Sequence, residues 1–197
     1  MKKLLLGAAL AVSSLTFAQQ FGAKAGVNVS NLSSDNSLDT NTKTGFYAGL
    51  MMNAPLAENF SIQPEVLYNS VGTEYTYGTV GTSTLTLDYI TVPVMFQYNV
   101  VPQFYLEAGP EFGFLVNAKQ KIESGSWSGT AELDKDNFNP FNFGVGLGAG
   151  FNLTNNIGIN ARYVAGFTDA TDENNQQFGN DANNKNNVFQ AGLTFKF

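Results

Sequence analysis

The chain has 197 residues, enough for one domain with a sizeable core, and it contains neither cysteine nor histidine. These missing residue types exclude disulfides, Ser-His-Asp and Cys-His catalysis, and the usual nitrogen and sulfur ligands of metals. The net charge of −6 argues against nucleic acid as a partner, because a phosphate backbone is bound through basic surfaces. We therefore expect no enzyme activity, no cofactor and no metal site.

The start of the chain is typical of a secretory signal peptide. Two lysines precede a short apolar stretch over residues 4–15, and Ala18 provides the small residue that precedes a cleavage site. The apolar stretch is shorter than the roughly 20 residues that a membrane-spanning helix needs. We therefore expect residues 1–18 to be cleaved and residues 19–197 to form the mature domain, with a net charge of −8 after both lysines are lost.

Apolar and polar residues alternate with a period of two through most of the mature sequence, and such alternation predicts β-strands. Strands of about ten residues, even in number, are typical of a membrane-spanning barrel. The alternating segments are eight, and they cover residues 21–30, 46–53, 60–69, 90–98, 104–114, 141–153, 157–167 and 189–197. The fold class predicted is all-β, an eight-stranded antiparallel up-and-down transmembrane β-barrel.

The connections between these segments alternate in length, which places all long loops at one end of the barrel. Short periplasmic turns and longer extracellular loops have this arrangement in outer-membrane barrels. The long polar connections cover residues 31–43, 70–83, 117–139 and 168–187, and the short ones 55–59, 99–103 and 154–156.

Three prolines, Pro64, Pro93 and Pro110, fall inside predicted strands. Each removes one hydrogen-bond donor from the ladder, and a closed barrel has no edge at which the loss is harmless. We expect bulges or local bends at these three positions.

The polar face of the predicted strands has the composition of an interior. A face exposed to water would contain about 25–35% charged residues, whereas the polar face of the segment 141–153 consists of asparagine and glycine. Glycine suits a narrow, crowded space. The apolar face is therefore directed to lipid, and the signal peptide and barrel together predict localisation in the cell outer membrane.

Six charged side chains lie at polar positions within the predicted strands. Three positive and three negative charges suit an enclosed space, because an unpaired buried charge is costly. An eight-stranded barrel is just wide enough for its side chains to fill it, so these residues predict a structural ion-pair cluster that plugs the lumen. A path for protons or small ions through the same groups is the alternative. The six residues are Lys24, Glu65, Glu107, Glu111, Arg162 and Lys196.

Two acidic loop stretches, at residues 134–137 and 169–181, lack the ligand spacing of an EF-hand and are expected to be solvated. The run of alternating glycines over residues 144–150 is a glycine-faced strand and not a phosphate loop, which needs a following helix. Trp127 lies in the third long loop, where an exposed aromatic side chain could contact a partner.

Three segments resemble those of PorT-like outer-membrane β-barrel proteins, which are common in Bacteroidota. They are YITVPV at residues 89–94, FYLEAGPEFGFL at 104–115 and VFQAGLTFKF at 188–197. The resemblance implies an eight-stranded barrel that the outer-membrane assembly machinery inserts. It does not by itself imply a role in secretion. It also implies an insertion signal with an aromatic last residue and apolar partners at alternate positions, namely Phe189, Leu193, Phe195 and Phe197.

The leading hypothesis is a monomeric, non-enzymatic barrel in contact with outer-membrane lipid and lipopolysaccharide. Its long extracellular loops would serve contact or adhesion, with a ligand that the sequence does not identify. The alternatives are a small pore or transporter for ions or small solutes, and an accessory subunit of a secretion or assembly complex.

Overall fold

The computed structural model describes residues 19–33, 40–76, 81–125, 127–135, 138–169 and 185–197. The predicted signal peptide and residues 170–184 lie outside the described residues. Among the described residues, no helix is long and apolar enough to cross a membrane. The strands are β1 (Gln20–Ser33), β2 (Thr40–Ala57), β3 (Phe60–Thr76), β4 (Thr82–Val101), β5 (Phe104–Ser124), β6 (Trp127–Glu132), β7 (Phe141–Asn152), β8 (Ile157–Asp169) and β9 (Lys185–Lys196).

Eight of these strands close into an antiparallel barrel. Each strand pairs with the next from β1 to β5, β5 continues to β7, and β9 returns to pair with β1. Closure matters because a strand edge exposed to lipid would leave backbone N–H and C=O groups unpaired. The predicted eight-stranded barrel is confirmed. The ninth strand, β6, pairs with the distal part of β5 beyond its pairing with β7.

The strands extend further than predicted at one end of the barrel. β3 continues to Thr76 and β4 begins at Thr82, so most of the predicted loop 70–83 is strand. The predicted loop 117–139 contains the end of β5 and the whole of β6. We call this end the loop end. The opposite end, where β2 and β3 are joined by residues 58–59, is the turn end.

The outward face of the barrel is apolar and its interior is largely polar. Leu50 and Leu147 are 65% and 64% exposed on the outside. The buried polar residues include Asn28, Gln63, Asn69, Thr91, Gln97, Asn160, Gln190 and Thr194. A water-soluble barrel has the reverse distribution, and the predicted direction of the two faces is therefore confirmed.

The three strand prolines do not form the predicted bulges, because the register is the same on both sides of Pro64, Pro93 and Pro110. Each proline interrupts one ladder only. Pro93 pairs with Glu111 in β5. On its other side Pro93 lies opposite Glu65 of β3, and the β3–β4 pairing is interrupted there. In an antiparallel sheet the N–H and C=O of one residue face the same neighbour. The missing donor therefore weakens one side locally without requiring an extra residue.

A bulge lies instead at Val116 in β5, which has no partner in the pairing with β4. One extra residue exchanges the two faces of a strand. On the turn side of the bulge Phe114 is outward and half exposed, and on the loop side Ala118 is buried inside while Lys121 lies on the opposite, outer face. The outward face of β5 thus changes from apolar to charged at Val116.

Candidate functional site in the barrel interior

Four of the six predicted interior charges form one buried network. Arg162 in β8 donates two hydrogen bonds to Glu65 in β3, from Nη1 to Oε2 at 2.9 Å and from Nη2 to Oε1 at 2.8 Å. Its Nε donates to Oε1 of Glu107 in β5 at 2.8 Å. Lys24 in β1 donates to Oε1 of Glu65 at 2.9 Å. We call these four residues the ion-pair network, and the side chains in its ion pairs are at most 1% exposed.

The network spans the barrel because its members come from alternate strands of the ring. In the order β1, β2, β3, β4, β5, β7, β8, β9, the contributing strands hold positions one, three, five and seven. β3 and β8 lie opposite each other, so the Arg162–Glu65 pair crosses the full width of the lumen.

Glycines on the interior face of β7 leave space for these side chains. A Cβ added at Gly148 would lie 3.0 Å from Oε1 of Glu107, and one at Gly146 would lie 3.3 Å from Cδ of Arg162. These distances are tighter than ordinary van der Waals contact. The glycine face predicted from the sequence is therefore what allows an arginine and a glutamate to share this level of a narrow barrel.

Charge balance and hydrogen bonding both favour the network over isolated buried charges. It contains two positive and two negative groups. Gln97 donates to Oε2 of Glu107 at 3.0 Å, and Gln63 donates to Oε1 of Glu65 at 2.8 Å. All four carboxylate oxygens therefore accept hydrogen bonds, as buried ion pairs require if attraction is to offset desolvation.

Glu111 and Lys196 do not join the network. Glu111 lies four residues beyond Glu107 on the same face of β5, about 13 Å along the strand towards the loop end. Its Oε2 is buried and has no hydrogen-bond partner among the described residues. Lys196 lies at the turn end and donates to Oδ1 of Asn152 at 3.1 Å. The sequence-based cluster of six is therefore four residues, with the other two displaced along the barrel axis in opposite directions.

Neutral side chains make further bonds across the lumen that the sequence analysis did not identify. The hydroxyl of Tyr47 in β2 donates to Oδ1 of Asn160 in β8 at 3.0 Å. Gln190 in β9 donates to Oδ1 of Asn69 in β3 at 3.0 Å. The inward positions of these residues were visible in the alternation. Their partners were not, since these depend on how neighbouring strands are staggered.

An apolar cluster fills the interior at the loop end. Its buried members are Val71, Leu85, Leu87, Tyr89, Ala118, Phe138, Val164 and Val188. Phe138, from the segment after β6, is only 3% exposed. The polar interior predicted for the strands therefore does not extend to this end, where the interior is apolar. In the sequence Phe138 falls in the predicted long polar connection 117–139, and no sequence pattern indicated that this segment packs into the barrel.

The sequence matches the family described as "Outer membrane protein beta-barrel domain" over residues 17–172, more than half of the chain. The protein belongs to this family. It is therefore an outer-membrane protein, as the signal-like start and the lipid-facing strands predicted. No curated protein matches its sequence.

Solved structures of other outer-membrane barrels share the fold. Ail, the attachment invasion locus protein of Yersinia pestis, aligns with a TM-score of 0.54 and 14% identity over 92% of this chain and 100% of Ail. Neisserial surface protein A (NspA) aligns with a TM-score of 0.55 and 15% identity over 91% of this chain and 99% of NspA. At these identities the likeness concerns the fold alone.

In this outer-membrane barrel, the residues of the suggested insertion signal lie together on the outward face near the C-terminus. Phe189, Leu193, Phe195 and Phe197 are 50%, 58%, 50% and 70% exposed. The Phe197 N–H donates to the carbonyl of Phe21 at 2.9 Å, which joins the last residue to β1. The rings of Phe195 and Phe197 pack edge to face. The four residues therefore form one apolar strip, accessible from the lipid side.

Proposed function

We propose that the protein is a non-enzymatic, monomeric structural barrel with a plugged lumen, which contributes to outer-membrane integrity and uses its loop end for surface contact. One observation supports the proposal that the lumen is closed. The ion-pair network connects alternate strands, and one of its pairs reaches across the barrel. A continuous water-filled path would have to separate these buried charges. The apolar cluster supports the same conclusion, because it fills the interior closer to the loop end.

Recording from the reconstituted protein in a voltage-clamped planar bilayer tests the plug. We expect no steady open-channel current from the unaltered chain. A charge-balanced variant with all four network residues changed to alanine, combined with Phe138→Ala, should conduct because both barriers are reduced. A matched control, Lys121→Ala with Glu123→Ala, removes an exposed ion pair of 2.9 Å and should remain silent. Steady current from the unaltered chain would favour the pore alternative instead.

The surface role is supported by the strand extension at the loop end. The β5–β6 hairpin lies beyond the bulge at Val116, and Trp127 at the start of β6 is 61% exposed. Exposed aromatic side chains are frequent anchors of protein contacts. Comparing the partners captured with the tagged full chain and with Trp127→Ala tests this role. A partner that depends on Trp127 supports contact at the hairpin, and an identical partner list for both proteins argues against it.

The orientation with the loop end outside can be tested directly because the chain contains no cysteine. Ser128→Cys places a single thiol on the exposed β6, and Asn155→Cys places one in the turn between β7 and β8. A membrane-impermeant maleimide should label the first on intact cells and the second only after lysis. The reverse result would contradict the orientation.

We also propose that the chain is PorT-like, on the basis of the segments at residues 89–94, 104–115 and 188–197. These segments form parts of β4, β5 and β9, and two of the three strand prolines, Pro93 and Pro110, lie in them. An accessory role in a secretion or assembly complex would be a separate property. Normal secretion in a deletion strain, together with purification of the tagged protein without partners, would exclude that role.

A further inference from the structure

A small cavity lies beside Glu111, between the ion-pair network and the apolar cluster. Its volume is about 20 Å³, and we call it the Glu111 cavity. Polar residues form part of its wall, while Val71, Val164 and Val188 belong also to the apolar cluster. The polar lining includes Asn69, Thr91, Glu111, Asn142, Asn186 and Gln190.

Four side chains of this lining carry a buried polar atom without a hydrogen-bond partner among the described residues. The atoms are Oε2 of Glu111, Oδ1 of Asn186, the hydroxyl of Tyr89 and Nδ2 of Asn142. Glu111, Asn186 and Tyr89 are 9%, 6% and 2% exposed. Buried polar atoms are nearly always paired, so four unpaired atoms around one cavity indicate a common ligand.

The four atoms match the hydrogen-bonding capacity of one water molecule. The Glu111 carboxylate and the Asn186 carbonyl accept, while the Tyr89 hydroxyl and the Asn142 amide donate. Buried water makes up to four hydrogen bonds, and a volume of about 10–15 Å³ suffices for one molecule. We propose that the Glu111 cavity is a binding site for a single ordered water molecule, bonded to all four side chains.

A cation fits these groups less well than water. The unpaired atom of Asn142 is its amide nitrogen, which donates hydrogen bonds and does not ligate a cation. Two other oxygens of the lining are already engaged, since Asn69 donates to Oγ1 of Thr91 at 2.7 Å and Gln190 donates to Oδ1 of Asn69 at 3.0 Å. Cations such as Ca²⁺ need six or more oxygen ligands.

The water accounts for a carboxylate that has no counterion in the network. It supplies Glu111 with a hydrogen bond at a level of the barrel that no cationic side chain of the ion-pair network reaches. It also ties together β4, β5, β7 and β9, which contribute Tyr89, Glu111, Asn142 and Asn186. The barrel then has two cross-links at different heights, one ionic and one mediated by water.

A high-resolution crystal structure of the mature chain tests the proposal. We expect a density peak within hydrogen-bond distance of all four atoms, and no anomalous signal at that place in crystals soaked with rubidium chloride. The Tyr89→Phe variant removes one donor and should lower the occupancy of the peak. Tyr105→Phe, a buried tyrosine outside the cavity lining, is the matched control and should leave the peak unchanged.

Three results would overturn the proposal. A rubidium peak would identify a cation site, and direct bonds among the four side chains without intervening density would show that the cavity is closed. An unchanged peak in Tyr89→Phe would show that the water is not held by the proposed donor. These readouts are independent of conductance and of surface partners. If the water-site proposal fails, the proposed function is therefore unaffected.

Discussion

Replacing Arg162 with methionine isolates the contribution of the ion-pair network, because methionine retains much of the apolar stem and removes the guanidinium. The change deletes three hydrogen bonds to Glu65 and Glu107, each of 2.8–2.9 Å. Two carboxylates then remain against the single ammonium group of Lys24. Removing one partner of a buried ion pair costs about 3–5 kcal/mol. A folded domain has about 5–15 kcal/mol of total stability, so the loss is a large fraction.

Urea titration of the barrel in lipid vesicles measures this loss, with the folded fraction read from its mobility in unheated electrophoresis. We expect a clearly lower midpoint for Arg162→Met. Adding Glu107→Gln should recover part of the loss, with a coupling of about 0.5–3 kcal/mol in the double-mutant cycle. The control Lys121→Met breaks a pair whose side chains are 47% exposed and should cost about 0–1 kcal/mol. Equal effects of Arg162→Met and Lys121→Met, with no coupling to Glu107, would refute the reasoning.

Three further changes test other levels of the barrel. The side chain of Gly150→Val would overlap the ring of Tyr105 and should lower the free energy of unfolding by about 1–3 kcal/mol in the same titration. Ala149→Val, on the lipid side, is the control and should not lower it. Equal effects of the two variants would contradict the crowded interior. Phe138→Ala should cost about 3–5 kcal/mol if the ring is part of the core, and a loss below about 1 kcal/mol would place it outside. Deletion of Phe197, which is 70% exposed, should slow insertion by the assembly machinery while the urea midpoint changes little, and an unchanged insertion rate would argue against the signal.

The transmembrane part of the fold was predictable because every residue of these strands faces either the lipid or the interior, and each side requires its own type of side chain. Each strand there has lipid on one side and a narrow polar interior on the other, so chemistry alternates with period two. Beyond the membrane this constraint ends. In β4, Leu85 and Leu87 point inward while Thr84 and Thr86 point outward. In the predicted segment 90–98 of the same strand the apolar residues point outward, so the polarity of the two faces is reversed before it. Taken alone, that reversal resembled the end of a strand.

The candidate site was predictable in composition but not in geometry. Charge at inward positions identified Arg162, Glu65 and Lys24 without any structure. Whether two inward residues meet depends on the stagger between strands, which the sequence does not state. Glu107 and Glu111 share one face of one strand, yet only Glu107 lies at the level of Arg162. The same stagger places Lys196 beside Asn152 at the turn end.

In β4 and β5 the outward surface changes from apolar to polar at the same height along the barrel. This height defines the limit of the lipid-facing belt. Tyr89 and Leu115 are paired immediately on the turn side of the bulge. In β4 the register continues, and the apolar residues move from the outer face to the inner face. In β5 the extra residue Val116 exchanges the faces, so that Lys121 is outward. Two different devices give one result: polar groups face water outside, and apolar groups close the interior. Because an exposed charge would be costly in lipid, the outward Lys121 indicates that this part of β5 lies outside the membrane, and the bulge is what turns that charge outward.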